Sequence, residues 1–193
     1  MKEEFIEYYT AHVKRDGSAE LLTYLQKSDF FTAPASTRFH GSYEGGLVEH
    51  SINVYKRLVE LNQAAGGLYS DESVAICGLL HDLCKIGFYS VEMRNRKNEQ
   101  GQWEKYPYYV VSDQLPYGHG EKSQYIVASF MKLSREESFA IRWHMGGFDA
   151  SVRGGSAESV SLAFDMYKLA LFTHIADMMA SHMDESKKDE ETA

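Results

Sequence analysis

The stretch Leu79-Leu80-His81-Asp82-Leu83-Cys84-Lys85-Ile86-Gly87 decides how the rest of this chain is read. It closes an apolar helical pattern that Ser70 or Asp71 can cap, that runs through Val74, Leu79 and Leu83, and that Gly87 stops. His81 and Asp82 fall in the last turns of this expected helix. Burying both without partners would cost several kcal/mol, and a metal ion would satisfy them. Lys85 follows His81 by four residues and Asp82 by three, so one helical face is expected to present the His, the Asp and a cation together.

Upstream, Leu47 to Leu61 carries Leu47, Ile52, Val54, Tyr55, Leu58 and Leu61 on a broad apolar face, with His50 near its start and Gly66-Gly67 after it. Before that, Ser28 to Gly46 reads as a loop packed by Phe30, Phe31 and Phe39. Helices are expected over Glu3 to Lys14 and about Ala19 to Lys27. Downstream, Phe88 to Arg94 and Trp103 to Val111 flank the polar segment Asn95 to Gln102, the pattern of a β-hairpin inserted in a helical protein. Helical spacing resumes from Glu121 to Leu133. Ser134 with Glu137 forms a capping-box signature for a helix reaching His144. One last long helix, about Ser159 to Met183, places His174 and Asp177 three residues apart, and the polar end from residue 185 to 193 is expected to fray.

The chain's 193 residues suit one domain with one substantial core. A net charge of −8 makes long nucleic acid a poor partner, although a metal pair can reverse the potential inside one cleft and admit a small anionic substrate. Cys77 and Cys84 make no disulfide framework, so a reducing cytoplasm is the simplest setting. No apolar run resembles a signal peptide or could span a bilayer, so no membrane partner is expected.

Besides His81 and Asp82, four candidate ligands occur singly: His50, His119, His144 and Asp177. The segments Gly45-Gly46-Leu47-Val48-Glu49-His50, Leu79 to Gly87 and His174-Ile175-Ala176-Asp177 resemble the signature segments of the HD-domain superfamily: an isolated His, a His-Asp pair and a late Asp. The resemblance runs from about residue 39 to 184. It implies an all-α helical bundle, here with a small hairpin insertion at 88–111. Gly118-His119-Gly120 and Arg142-Trp143-His144 resemble the two extra histidines of the members that bind two metals. Carried over, the resemblance implies that His50, His81, Asp82 and Asp177 hold one ion and His119 and His144 the second, with Asp82 as the bridge. Imidazoles with two carboxylates favour Fe or Mn, with Co, Ni, Zn or Mg as further possibilities. A hydroxide bridging such ions would attack a phosphoester, and Lys85 would hold its phosphate, as the resemblance also implies.

Each residue has a plainer reading. A lone His is usually structural, and the set gains its meaning only together. His174 reads as a hydrogen-bonding neighbour of the ligands, His40 as near them but off the metal, and His12 and His182 as surface positions. Cys84 is expected to pack in the core, away from Asp82 and Lys85. Lys122, Arg142 and Arg38 adjoin motif residues and could contact substrate, or form surface ion pairs. Arg94-Asn95-Arg96-Lys97 with Trp103, Lys105, Tyr106 and Tyr108 could close over a nucleotide, but the simpler reading is a solvated hairpin tip.

The expected activity is metal-dependent hydrolysis of a nucleotide or short-oligonucleotide phosphoester, with Asp82 and Lys85 catalytic and Lys85, Lys122 and Arg142 on the substrate. The same six ligands also serve mixed-valent diiron oxygenases in a small branch of the superfamily. A nucleotide-sensing module without turnover is the third reading. Substrate identity, native metal and oligomeric state are left open by the sequence.

Overall fold

The computed structural model describes residues 1–185. Among them the chain forms eight α-helices and a single two-stranded antiparallel hairpin: α1 (Lys2–His12), α2 (Ser18–Lys27), α3 (Gly46–Ala64), α4 (Asp71–Leu80), β1 (Tyr89–Lys97), β2 (Trp103–Val111), α5 (His119–Ala128), α6 (Arg135–Trp143), α7 (Ala157–Met166) and α8 (Lys168–Met179). The architecture is the all-α bundle with a hairpin insertion. No helix of the described residues is long and apolar enough to cross a membrane.

A continuous apolar cluster joins α1 to α8, with Phe5, Leu21, Leu47, Leu58, Ile76, Leu80, Val127, Ile141 and Leu169 fully buried. Each such side chain contributes about 1.5–3 kcal/mol of transfer free energy. Ser70 caps α4 by accepting the Ser73 N–H, and the Ser134–Glu137 capping box closes the start of α6 as its sequence signature predicts.

Two buried polar contacts align α4 with α6. Glu137, on α6, accepts hydrogen bonds from the Ser73 hydroxyl of α4 (2.7 Å) and from both Nη atoms of Arg15 (2.7 and 2.9 Å), while Arg15 also reaches Glu72 on α4 (3.2 Å). The two helices are thereby tied at their N-terminal ends, and their C-terminal ends deliver His81 and His144 to one place. Two glycines set the remaining approaches. A Cβ on Gly78 would fall 2.5 Å from the Tyr55 Cα, so glycine lets α4 lie on α3; a Cβ on Gly120 would fall 2.0 Å from the Arg142 carbonyl oxygen, so glycine lets α5 begin against the end of α6.

The structure corrects three element boundaries. The α4 helix ends at Leu80; His81 and Asp82 lie just past it, and Leu83–Lys85 forms a 3-10 turn. Lys85 therefore meets Asp82 across a tight turn rather than along an α-helical face. The expected last long helix is broken at Tyr167, whose extended backbone (φ −127°, ψ 92°) separates α7 from α8, and a π-helical turn, Ala180–Asp184, follows. The expected frayed end begins with a residue that is not frayed: Glu185 is held against α3, while 186–193 lie outside the described residues.

Candidate metal centre

His81 and His144 are built the same way. Each sits at the C-cap of its helix, where the last carbonyls lack intrahelical donors, and each donates its Nδ1–H to the carbonyl three residues back: Gly78 at 2.9 Å and Ile141 at 2.7 Å. That bond places the remaining ring proton on Nδ1 and leaves Nε2 as a lone pair facing inward. His50, in the second turn of α3, reaches the same tautomer by another route. Its Nδ1 lies 3.1 Å from both oxygens of Glu185, an acceptor that Asn53 also holds (3.0 Å).

These lone pairs converge on carboxylates. The Nε2 atoms of His50 and His81 lie 3.2 Å apart, and His50 Nε2 lies 3.3 Å from Asp177 Oδ1 and 3.6 Å from Asp82 Oδ2. His81 Nε2 is 3.7 Å from Asp82 Oδ2. On the other side of the carboxylate, Asp82 Oδ1 lies 2.8 Å from His119 Nε2 and 3.5 Å from His144 Nε2. The two oxygens of Asp82 thus divide the imidazoles into two groups.

The arrangement fits cations. His144 Nε2 is completely buried and has no hydrogen-bond partner, and the His50 and His81 lone pairs face each other, which is repulsive unless a positive charge lies between them. Protons partly fill that role in the protein alone. Burial opposes charge on His50, yet the Asp177 and Glu185 carboxylates outweigh it and lift its pKa to about 10. Burial, helped by His144 and His50, instead drives His81 down to about 3. Asp82 is held well below the carboxylate range: burial opposes its charge, but Lys85, His119 and His144 outweigh it. Divalent ions would replace these protons and satisfy every donor at once.

The cluster floors a cavity of about 480 Å³, within the range of small-molecule sites. His50, Asp82, Lys85, His119 and Asp177 line its floor, while Phe39, Tyr89, Met145, Phe148 and Met178 form apolar walls. Lys85 is buried and donates to Asp82 Oδ2 at 2.5 Å; burial opposes its charge, but Asp82 raises its pKa.

With the fold and ligand geometry described, relationships to known proteins become informative. A family model, the HD domain, matches residues 47–191, which include every residue of the cluster. The chain belongs to the HD-domain family. Over 57 residues it is 40% identical to the dihydroneopterin 2',3'-cyclic phosphate phosphodiesterase of Methanocaldococcus jannaschii, a match covering 28% of this chain and 23% of that protein. The chain therefore spans about a quarter of the length of this curated relative. No solved structure matches the chain.

The six residues expected at the HD centre all meet there. Two expected substrate contacts do not line the cavity. Lys122 is buried, donates to Asp113 at 2.5 Å and lies over the Phe88 ring, and Arg142 is bound by Glu121 (2.5 Å) and Asp149 (2.9 Å). Both have ion-pair partners that a local motif reading could not see. Cys84 also departs from its expected place: its Sγ lies 3.4 Å from the His119 ring nitrogens and 3.6 Å from Asp82 Oδ1. The 3-10 turn, rather than an α-helix, swings it inward. His174 donates to the His144 carbonyl at 2.7 Å, and the His40 ring packs at a tilt against that of His50 (centroids 4.9 Å apart), with burial and then His50 lowering its pKa to about 4. Sequence reading missed Glu185, Phe148 and Arg153, the last two at the cavity wall. Only the spacing of Glu185, eight residues after Asp177, could have suggested a second acidic group near the centre.

Proposed function

We propose that this HD-domain protein is a metal-dependent phosphohydrolase or phosphodiesterase acting on a nucleotide or short oligonucleotide. The observation that carries the reading is Asp82: one buried carboxylate whose two oxygens face separate histidine groups, with a buried lysine beside it on the floor of a small-molecule cavity. The M. jannaschii relative, named for a cyclic-phosphate phosphodiesterase activity, supports the phosphoester class.

In this reading His50, His81, Asp177 and Asp82 Oδ2 would hold one divalent ion, and His119, His144 and Asp82 Oδ1 the other, with Fe or Mn preferred for this mixture of imidazole and carboxylate. When bound, the ions supply Lewis acidity and bring water's pKa near neutrality. The chain's own residues do the positioning. Lys85, His119 and His144 beside the Asp82 carboxylate favour its charged form, which suits it to serve as a ligand. Lys85, an ammonium beside Asp82 on the cavity floor, is placed to hold a phosphoryl oxygen. Helix-end bonds to His81 and His144 keep their Nε2 atoms aimed without rearrangement. Phe148, Met145 and Met178 form apolar cavity walls that restrict water around the reacting group.

The test is to strip the protein with chelator, reload it with Mn²⁺ or Fe²⁺, and assay phosphomonoesters, 2',3'-cyclic phosphates and dinucleotides. Metal-dependent release of phosphate or nucleoside monophosphate is expected. Inactivity on the whole panel with two metal equivalents bound per chain would overturn the proposal.

A further inference from the structure

A second groove adjoins the cavity described above. Its volume is about 490 Å³, and it lies between the hairpin and the loop that precedes α3; Thr37 and Phe39 line both spaces. Its lining includes Arg38, Phe39, Tyr43, Arg96, Tyr106 and Tyr108, and no carboxylate. In a chain of net charge −8, Arg38 gives this groove a cation with no ion-pair partner among the described residues, while Arg96 is partly neutralised by Glu104.

The aromatic rings are arranged with cations. Hairpin register puts Glu92 opposite Tyr108, Arg94 opposite Tyr106 and Arg96 opposite Glu104, so these six side chains share one face of the sheet, with arginines, carboxylates and rings side by side. The Arg94 guanidinium lies 3.8 Å from the Tyr108 ring centre, Arg96 lies 5.0 Å from that of Tyr106, and Arg38 lies 5.5 Å from that of Phe39. Arg96 pairs through Nε with Glu104 (2.6 Å), whereas Arg38 makes no ion pair among the described residues. Phe39 is 69% exposed and Tyr43 49%, so both rings are open to a ligand entering the groove. Interleaved rings and guanidiniums along a groove are the chemistry that holds single-stranded nucleic acid, by stacking of bases and pairing with phosphates.

We propose that this groove is a second nucleotide subsite. It stacks the base adjacent to the phosphoester held at the metal centre, and Arg38 and Arg96 take the terminal phosphate of that adjacent nucleotide. The preferred substrate is then a dinucleotide or short single strand rather than a mononucleotide. This inference rests on the proposed phosphoester activity and narrows it.

The experiment measures equilibrium binding by calorimetry to Mn²⁺-loaded protein, using hydrolysis-resistant phosphorothioate forms of AMP and of the dinucleotide pApA. Wild type is expected to bind the dinucleotide about ten- to a hundredfold more tightly than AMP, the range of one added base stack. The double variant Arg38→Ala/Tyr106→Ala should lose that advantage while keeping its metal content and its affinity for AMP, a pattern that a misfolded protein could not give. Equal wild-type affinities for the two ligands would overturn the second subsite and leave the proposed activity standing. A dinucleotide advantage that survives in the double variant would equally overturn it. Failure of both ligands to bind would remove the subsite and the nucleotide reading together, even if other phosphoesters are hydrolysed.

Discussion

The floor of the main cavity and the hairpin beside it are built on opposite plans. On the floor, three of the histidines are held by a second bond: helix-end carbonyls hold His81 and His144, and Glu185 holds His50. On the hairpin most residues are exposed, Trp103 to 70%, and the contacts are cation–ring pairs at the surface. The proposed metal centre needs over-determined geometry to hold cations, whereas the proposed groove for a flexible strand does not. The contrast predicts large, specific losses from changes at the floor and small ones from the hairpin.

The largest effect should come from Asp82→Ala. It removes the carboxylate shared by both histidine groups, so metal affinity should fall by well over the roughly 100-fold typical of losing an outer hydrogen-bonding partner. Elemental analysis after dialysis should find less than one metal per chain. Two retained equivalents would break the comparison.

Next in size is Glu137→Ala, which should destabilise the fold by about 3 kcal/mol, because it strands the partly buried Arg15 and unties α4 from α6. Denaturant titration reads this. Burial raises the Glu137 pKa, but Arg15, the Ser134 N–H and Ser73 outweigh it, so the folded value lies below the ordinary 4.5. Its stabilisation is thus present above the unfolded value and lost as pH falls through the folded one. The stability gap between wild type and Glu137→Gln should accordingly close in acid; a gap that widens on acidification would contradict the assignment.

Glu185→Ala is expected to weaken metal binding about 10- to 100-fold, the range for a partner that orients a ligating histidine. Glu185→Gln, whose amide oxygen can still accept from His50 Nδ1, should recover part of the loss. Competition with a chelating dye measures both. Equal affinities in wild type and Glu185→Ala would show that His50 needs no such support.

At the other extreme, Trp103→Ala on the hairpin should alter stability by no more than about 0.5 kcal/mol and metal content not at all. A cooperative loss of structure in this variant would mean that the hairpin supports the core.

The same contrast explains what could be read in advance. The floor was legible because its residue types are improbable where they stand: His81-Asp82 closes an apolar helix, and only convergence with His50, His119, His144 and Asp177 accounts for them. The Ser134–Glu137 cap and the hairpin were legible because local bonding and β-propensity decide them. The turn at Leu83–Lys85 was not, since nothing in Leu-Cys-Lys distinguishes a 3-10 turn from another α-helical turn. That difference moved Cys84 from the core to the side of His119. For Lys122 and Arg142 the sequence left substrate contact and an ion pair both open, because the partners Asp113, Glu121 and Asp149 meet them through tertiary contacts that adjacency to a motif does not encode.

Anomalous diffraction from crystals of the Mn²⁺-loaded protein addresses the cage itself. Two peaks should flank the Asp82 carboxylate, one within bonding distance of His50, His81 and Asp177 and the other of His119 and His144. A lone peak away from Asp82, or none, would contradict the assignment of these six side chains to a pair of ions.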